Sequence, residues 1–89
     1  LAKVLVSLKI YPSDINIDRE SLKRNIEKRL PNYASVYQFE EEPIAFGLVA
    51  IIVHVLMPED KTGGIDEVES NLKKIAEISD FQTLMVRRV

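Results

Sequence analysis

His54 is the single histidine of the chain, and no cysteine accompanies it. A general base needs a partner carboxylate and a substrate pocket, and the residues around His54 point to neither. It reads as a polar residue tolerated on a strand face. Glu40, Glu41 and Glu42 are consecutive, so on a strand they alternate between faces and cannot close one metal cage. Gly63-Gly64 lacks the Lys-Ser/Thr that completes a phosphate loop. No Gly-x-Ser-x-Gly elbow and no histidine pair at ligand spacing occurs. Tyr11-Pro12-Ser13-Asp14 has neither the glycines nor the arginine with which an acylphosphatase-type loop cradles its substrate. The residue that stands out is Phe46, a large aromatic between Pro43 and Gly47, directly before the apolar run Leu48 to Leu56. That is an odd place for a core phenylalanine and a good one for a ring presented to a partner. A core aromatic closing the end of a sheet is the competing reading.

The elements that must hold this ring are legible from periodicity. Val4, Val6, Leu8 and Ile10 alternate with Leu5, Ser7, Lys9 and Tyr11, the period of a strand with one apolar face. Pro12-Ser13-Asp14 ends it. A helix follows with Asp18 as N-cap, Ile17 and Leu22 spaced as a hydrophobic staple, and Leu22, Ile26 and Leu30 as its buried stripe. Pro31 stops it, because the residue before proline avoids the helical region. Val36 to Glu42 reads as a second strand and Leu48 to Met57 as a third. Pro58 to Gly64 is a turn-rich loop. A second helix is expected from Ile65 to Ile78, burying Ile65, Val68, Leu72, Ile75 and Ile78, and a last strand from Phe81 to Val89.

The order β-α-β-β-α-β, with right-handed crossovers, predicts an α+β, ferredoxin-like sandwich. It has a four-stranded antiparallel sheet of order 4-1-3-2 and both helices on one face. The two strands that this order makes central are also the most apolar. The opposite face of the third strand carries Leu48, Ala50, Ile52, His54 and Leu56, joined by Leu5. With no helix on that side, these residues form either an interaction patch or a surface covered locally by Tyr11 or Tyr37.

Composition sets the remaining bounds. The 89 residues make one domain, 1–89, with 46% hydrophobic and 29% charged residues, the balance of a soluble globular protein. A net charge of −2 gives no global positive field for nucleic acid. Helix one carries Arg19, Lys23, Arg24, Lys28 and Arg29 against Glu20 and Glu27, read as a solvated surface. The aromatic signature of an RNA-recognition motif is missing. No run is long enough to span a bilayer, and the given residues do not open on a charged stretch followed by an apolar one. A cytoplasmic monomer without cofactor, metal, membrane or direct nucleic-acid contact is the expectation.

The stretch Gln38-Phe39-Glu40-Glu41-Glu42-Pro43-Ile44-Ala45-Phe46-Gly47-Leu48 resembles the signature of archaeal translation elongation factor 1-beta, and the likeness extends over the whole chain. The resemblance implies a non-covalent exchange factor that binds elongation factor 1-alpha and speeds replacement of its GDP by GTP. Phe46 matches the family's inserted aromatic, with Ile44 and Gly47 beside it. The second implied element is a basic carboxyl terminus. Eukaryotic relatives have a penultimate lysine reaching the magnesium and phosphate region, where this chain has Arg88, with Arg87 as the weaker candidate on the other side of the strand. A planar guanidinium does not replace a magnesium ion as a compact ammonium does. Arg88 therefore pairs with a carboxylate or phosphate of the partner, or is a plain strand-end charge. The rival reading is a ligand-binding or self-associating ferredoxin-like module that uses the Leu48/Ile52/Leu56 face.

Overall fold

The computed structural model describes residues 2–89. Its elements are β1 (Lys3–Pro12), α1 (Arg19–Arg29), β2 (Ser35–Pro43), β3 (Val49–Pro58), α2 (Gly64–Leu72) and β4 (Ile78–Arg88), with a tight turn at Ala45–Gly47 between β2 and β3. The sheet order is β2-β3-β1-β4 with every neighbouring pair antiparallel. This is the expected ferredoxin-like sheet. No helix among the described residues is long and apolar enough to cross a membrane.

One face of the central strands builds the core. Val6, Leu8 and Ile10 of β1 meet Ile51, Val53, Val55 and Met57 of β3, and the helices cover them with Leu22, Ile26, Val68 and Leu72. Full burial of each aliphatic side chain contributes roughly 1.5–3 kcal/mol before entropy is counted, so this layer is the rigid platform for everything at the sheet's ends. Asp18 caps α1 by accepting from the Glu20 backbone N–H at 3.2 Å. Leu30 already has extended backbone ahead of Pro31. A cluster of Lys23, Arg19 and Glu41 ties α1 to β2. The Lys23 ammonium, chiefly by its hydrogen bond, holds the Glu41 carboxyl below its ordinary value.

The second helix is shorter than the periodicity predicts. It ends at Leu72, and the chain continues through tight turns in which Ile75 N–H bonds Leu72 C=O and Ile78 N–H bonds Ile75 C=O. Leu72, Ile75 and Ile78 keep a three-residue spacing toward the core, which mimics helical periodicity without a helix. Ile78 belongs to β4 because it pairs with Pro12 at the far end of β1. The last strand therefore starts three residues earlier than its sequence pattern suggests.

Candidate partner-binding surface

Phe46 sits at the tip of the β2–β3 hairpin. Pro43 pairs with Val49 at the last rung of the ladder. Ile44 N–H donates to Leu48 C=O at 2.8 Å and Leu48 N–H returns to Ala45 C=O at 3.2 Å. Between these bonds Phe46 (φ 62°, ψ 34°) and Gly47 (φ 78°) both have positive φ, the pattern of a type I′ turn. That turn favours Asn-Gly or Gly-Gly, because only such residues adopt it without strain. Phenylalanine in the left-handed region costs on the order of 1–2 kcal/mol. It is the one non-glycine residue with positive φ among the described residues.

The ring gains nothing from its own domain in return. Phe46 is 97% exposed, far more than any other large apolar residue among the described residues, so it is not a core aromatic closing the sheet. A local rule is broken and no intramolecular contact offsets it, which is the usual mark of a residue kept for another purpose. Apart from its two chain neighbours, Gly47 has no heavy atom within 4 Å of where a Cβ would stand, so its role is backbone conformation. Ile44, half-buried, seats the hairpin base.

Arg87 and Arg88 lie at the other end of the sheet. β1 runs from Lys3, opposite Pro58, to Ile10, opposite Ile51, so the carboxyl end of β4 sits where β3 finishes and Phe46 where β3 begins. Ten residues of β3, at about 3.3 Å each, separate the two by roughly 30 Å. The structure thus joins Ile44, Phe46 and Gly47 into one site and does not bring the arginines to it.

The two arginines also differ from each other. A bulge in β4, where Leu8 pairs with Thr83 and Ser7 with Met85, leaves Leu84 unpaired. It shifts the alternation of everything after it. Arg87 consequently pairs beside Leu5 on the helix-free face, whereas Arg88 pairs beside Val4 and forms an ion pair with Glu59.

The helix-free face is less open than its sequence suggests. Ala50 is fully buried and Leu5 is 6% exposed, while Ile52, His54 and Leu56 are half-buried. A row of polar contacts crosses it. Ser7 Oγ lies 2.7 Å from His54 Nδ1, and His54 Nε2 lies 2.5 Å from Glu40 Oε2. Lys9 bridges to Glu42 at 2.9 Å. The expectation that His54 lacks a carboxylate partner is corrected here. Glu40 and Ser7 reach it because the register places Ser7 opposite His54 on one side and Gln38, two residues from Glu40, on the other. Sequence spacing carries no such cross-strand information. Ser7 is itself buried and its oxygen is held by the imidazole, so the row acts as a structural tie across three strands.

Comparison with known proteins decides what kind of domain this is. A family model described as the EF-1 guanine nucleotide exchange domain matches residues 5–89. The chain belongs to that family. It is 42% identical over 89 residues to elongation factor 1-beta of Staphylothermus marinus, covering all of this chain and 99% of the relative. It is 40% identical to that of Aeropyrum pernix over 89 residues, with the same coverage. Against that of Methanothermobacter thermautotrophicus it is 36% identical over 89 residues, again covering all of this chain and 99% of the relative. Among solved structures, ribosomal protein S6 of Thermotoga maritima superposes with a TM-score of 0.62 at 14% identity, covering 100% of this chain and 89% of that one. The carboxyl-terminal domain of MgtC from Mycobacterium tuberculosis gives 0.62 at 11% identity, covering 100% and 88%. These two likenesses show the fold alone. The EF-1 exchange domain family accounts for the chain from Leu5 onward, so the hairpin carrying Phe46 lies within the matched region.

Proposed function

We propose that this EF-1 exchange domain promotes GDP-for-GTP exchange on elongation factor 1-alpha during translation elongation. It does so by seating the Phe46 ring in a pocket of the GTPase. The observation that carries the mechanism is a fully exposed aromatic held in left-handed backbone by a hydrogen-bonded hairpin. The backbone that carries the ring is already fixed, so little main-chain freedom is lost when it docks. The activity is exchange by binding, with no bond made or broken by this chain.

Exchange is a linkage effect. A factor that binds the nucleotide-free GTPase more tightly than the GDP-bound form weakens GDP binding by the same ratio. A thousandfold acceleration of release needs roughly 4 kcal/mol of differential stabilisation. A buried aromatic anchor commonly accounts for 2 kcal/mol or more of such an interface. Phe46 can therefore supply about half, and the remainder must come from elsewhere on the surface. The arginine end, roughly 30 Å away along β3, is the natural second source, so the partner contacts the domain along the length of its sheet. Arg88 is paired with Glu59 but largely exposed, and giving up such a pair costs at most about 1 kcal/mol.

Release of labelled GDP from the cognate GTPase, with and without this protein, tests the reading. Strong acceleration at catalytic concentrations is expected. No acceleration, together with concentration-dependent association of the domain with itself, would favour a self-associating module instead.

A further inference from the structure

On the helix-free face, at the end of the sheet remote from Phe46, Lys3, Leu5, Tyr37, Leu56, Arg87 and Val89 line an open cleft of about 350 Å³. Its floor is apolar: Leu5 is buried, and Leu56 stands opposite it in register. Its rim is cationic. Neither Lys3 nor Arg87 joins any ion pair formed among the described residues, whereas Lys9, Arg19, Lys23 and Arg88 all do.

Two irregularities of the sheet shape this cleft. In β2, Val36 pairs with Val55 and Gln38 with His54, so Tyr37 is an extra, unpaired residue whose ring reaches the cleft and stays 66% exposed. In β4, the unpaired Leu84 turns Arg87 onto the same face. Bulges interrupt pairing and re-aim side chains. Here both flank one cavity, and both deliver a lining residue to it. An unbulged β4 would have sent Arg88 to this face and Arg87 to the other.

We propose that this cleft is a second docking site, which takes an acidic side chain flanked by an apolar one on the surface of the GTPase. Arg87 and Lys3 hold the carboxylate while Leu5, Leu56 and Tyr37 hold its apolar neighbour. The proposal rests on the exchange reading above and deepens it: Arg87, rather than the Glu59-bound Arg88, is the base through which this end of the sheet acts. An apolar floor between two unpaired cations complements an acidic, partly apolar segment. A nucleic-acid strand would meet Glu40 and Glu42 on the same face and a chain of net charge −2.

The test compares Lys3→Glu/Arg87→Glu with Lys73→Glu/Lys74→Glu, an equal charge change at exposed residues just beyond α2. Affinity for nucleotide-free elongation factor 1-alpha is measured by calorimetry at low and high salt, alongside GDP release, with circular dichroism reporting the fold. The cleft variant is expected to lose at least about tenfold in affinity and most of the salt dependence, and the control far less. Tyr37→Ala weakens binding but keeps the salt dependence, and Arg87→Gln serves if the double reversal misfolds. If the cleft variant matches the control while the wild-type protein exchanges and Phe46→Ala does not, the cleft proposal is wrong and the exchange reading stands. If the wild-type protein neither binds nor accelerates release, both fall. Binding of labelled single-stranded RNA that the charge reversal abolishes would overturn the proposal in favour of a nucleic-acid site.

Discussion

The two ends of this sheet present opposite kinds of surface. At one end a hairpin pushes a single uncharged ring outward on strained backbone, with its neighbours cleared away. At the other, two bulges fold side chains inward around a concavity rimmed by Lys3 and Arg87. A convex apolar anchor gives affinity through burial and is insensitive to salt. A concave cationic site gives orientation and association rate and is screened. Between them runs the β1–β3 pair, whose inward residues Val6, Leu8, Ile10, Ile51, Val53 and Val55 have no solvent exposure. On the proposed reading rigidity there matters, because a GTPase gripped at two points roughly 30 Å apart would be distorted only if the distance between the grips were fixed.

The largest expected effect falls on the convex end. Phe46→Ala should slow exchange by about thirtyfold or more, the equivalent of a 2 kcal/mol anchor. Unfolding stability should change by less than about 0.5 kcal/mol in the destabilising direction, since the ring touches nothing in its own domain. A fall in stability of several kcal/mol would mean that the ring has an intramolecular role. Combining Phe46→Ala with the Lys3→Glu/Arg87→Glu pair sharpens the comparison. Because the ends are far apart, their effects on binding should add within about 0.5 kcal/mol. A strong shortfall would show that the two ends engage one site on the partner.

A smaller effect isolates the strain. Phe46→Gly relieves a left-handed bulky residue, so thermal unfolding should shift upward, consistent with about 0.5–1 kcal/mol of added stability, while exchange falls as in the alanine variant. Unchanged or lower stability would argue that the hairpin holds Phe46 without strain. Equilibrium urea unfolding of Arg88→Ala should show a loss under about 1 kcal/mol from the Glu59 pair.

The smallest effect concerns the opposite face. The Glu41 carboxyl is held below its ordinary value of 4.5, mainly by the Lys23 hydrogen bond with Arg19 assisting. The unfolded state therefore takes up this proton first on acidification. The stabilisation is complete above about pH 4.5 and is lost as pH falls through the lower folded value. Glu41→Gln should remove part of the acid sensitivity of urea unfolding, by less than about 1 kcal/mol, and leave exchange untouched.

Much of this arrangement is legible in the residues themselves. Alternation in Val4–Ile10 and Val49–Met57 identifies the central strands, Asp18 and Pro31 bound α1, and Pro43 with Gly47 marks the hairpin. What is not legible depends on register. An aromatic ahead of an apolar strand fits a buried plug or an exposed probe equally well. Only the turn, with its two positive φ values, turns Phe46 outward. The bulges at Tyr37 and Leu84 have no glycine or proline to announce them. The facing of Arg87 and Arg88, the cleft, and the Ser7–His54–Glu40 row were therefore hidden in a sequence that otherwise names its fold. Ile75 and Ile78 show the converse error, a three-residue spacing in turns that imitates a helix.

Fluorine NMR on protein carrying 4-fluorophenylalanine at its three phenylalanines, Phe39, Phe46 and Phe81, tests the docking of the ring most directly. The resonance missing from Phe46→Leu identifies the ring of interest. On adding nucleotide-free elongation factor 1-alpha, that resonance alone should move strongly and lose its solvent isotope shift, and excess GDP should restore both. A Phe46 signal that stays solvent-exposed in a complex that still releases nucleotide would contradict the account.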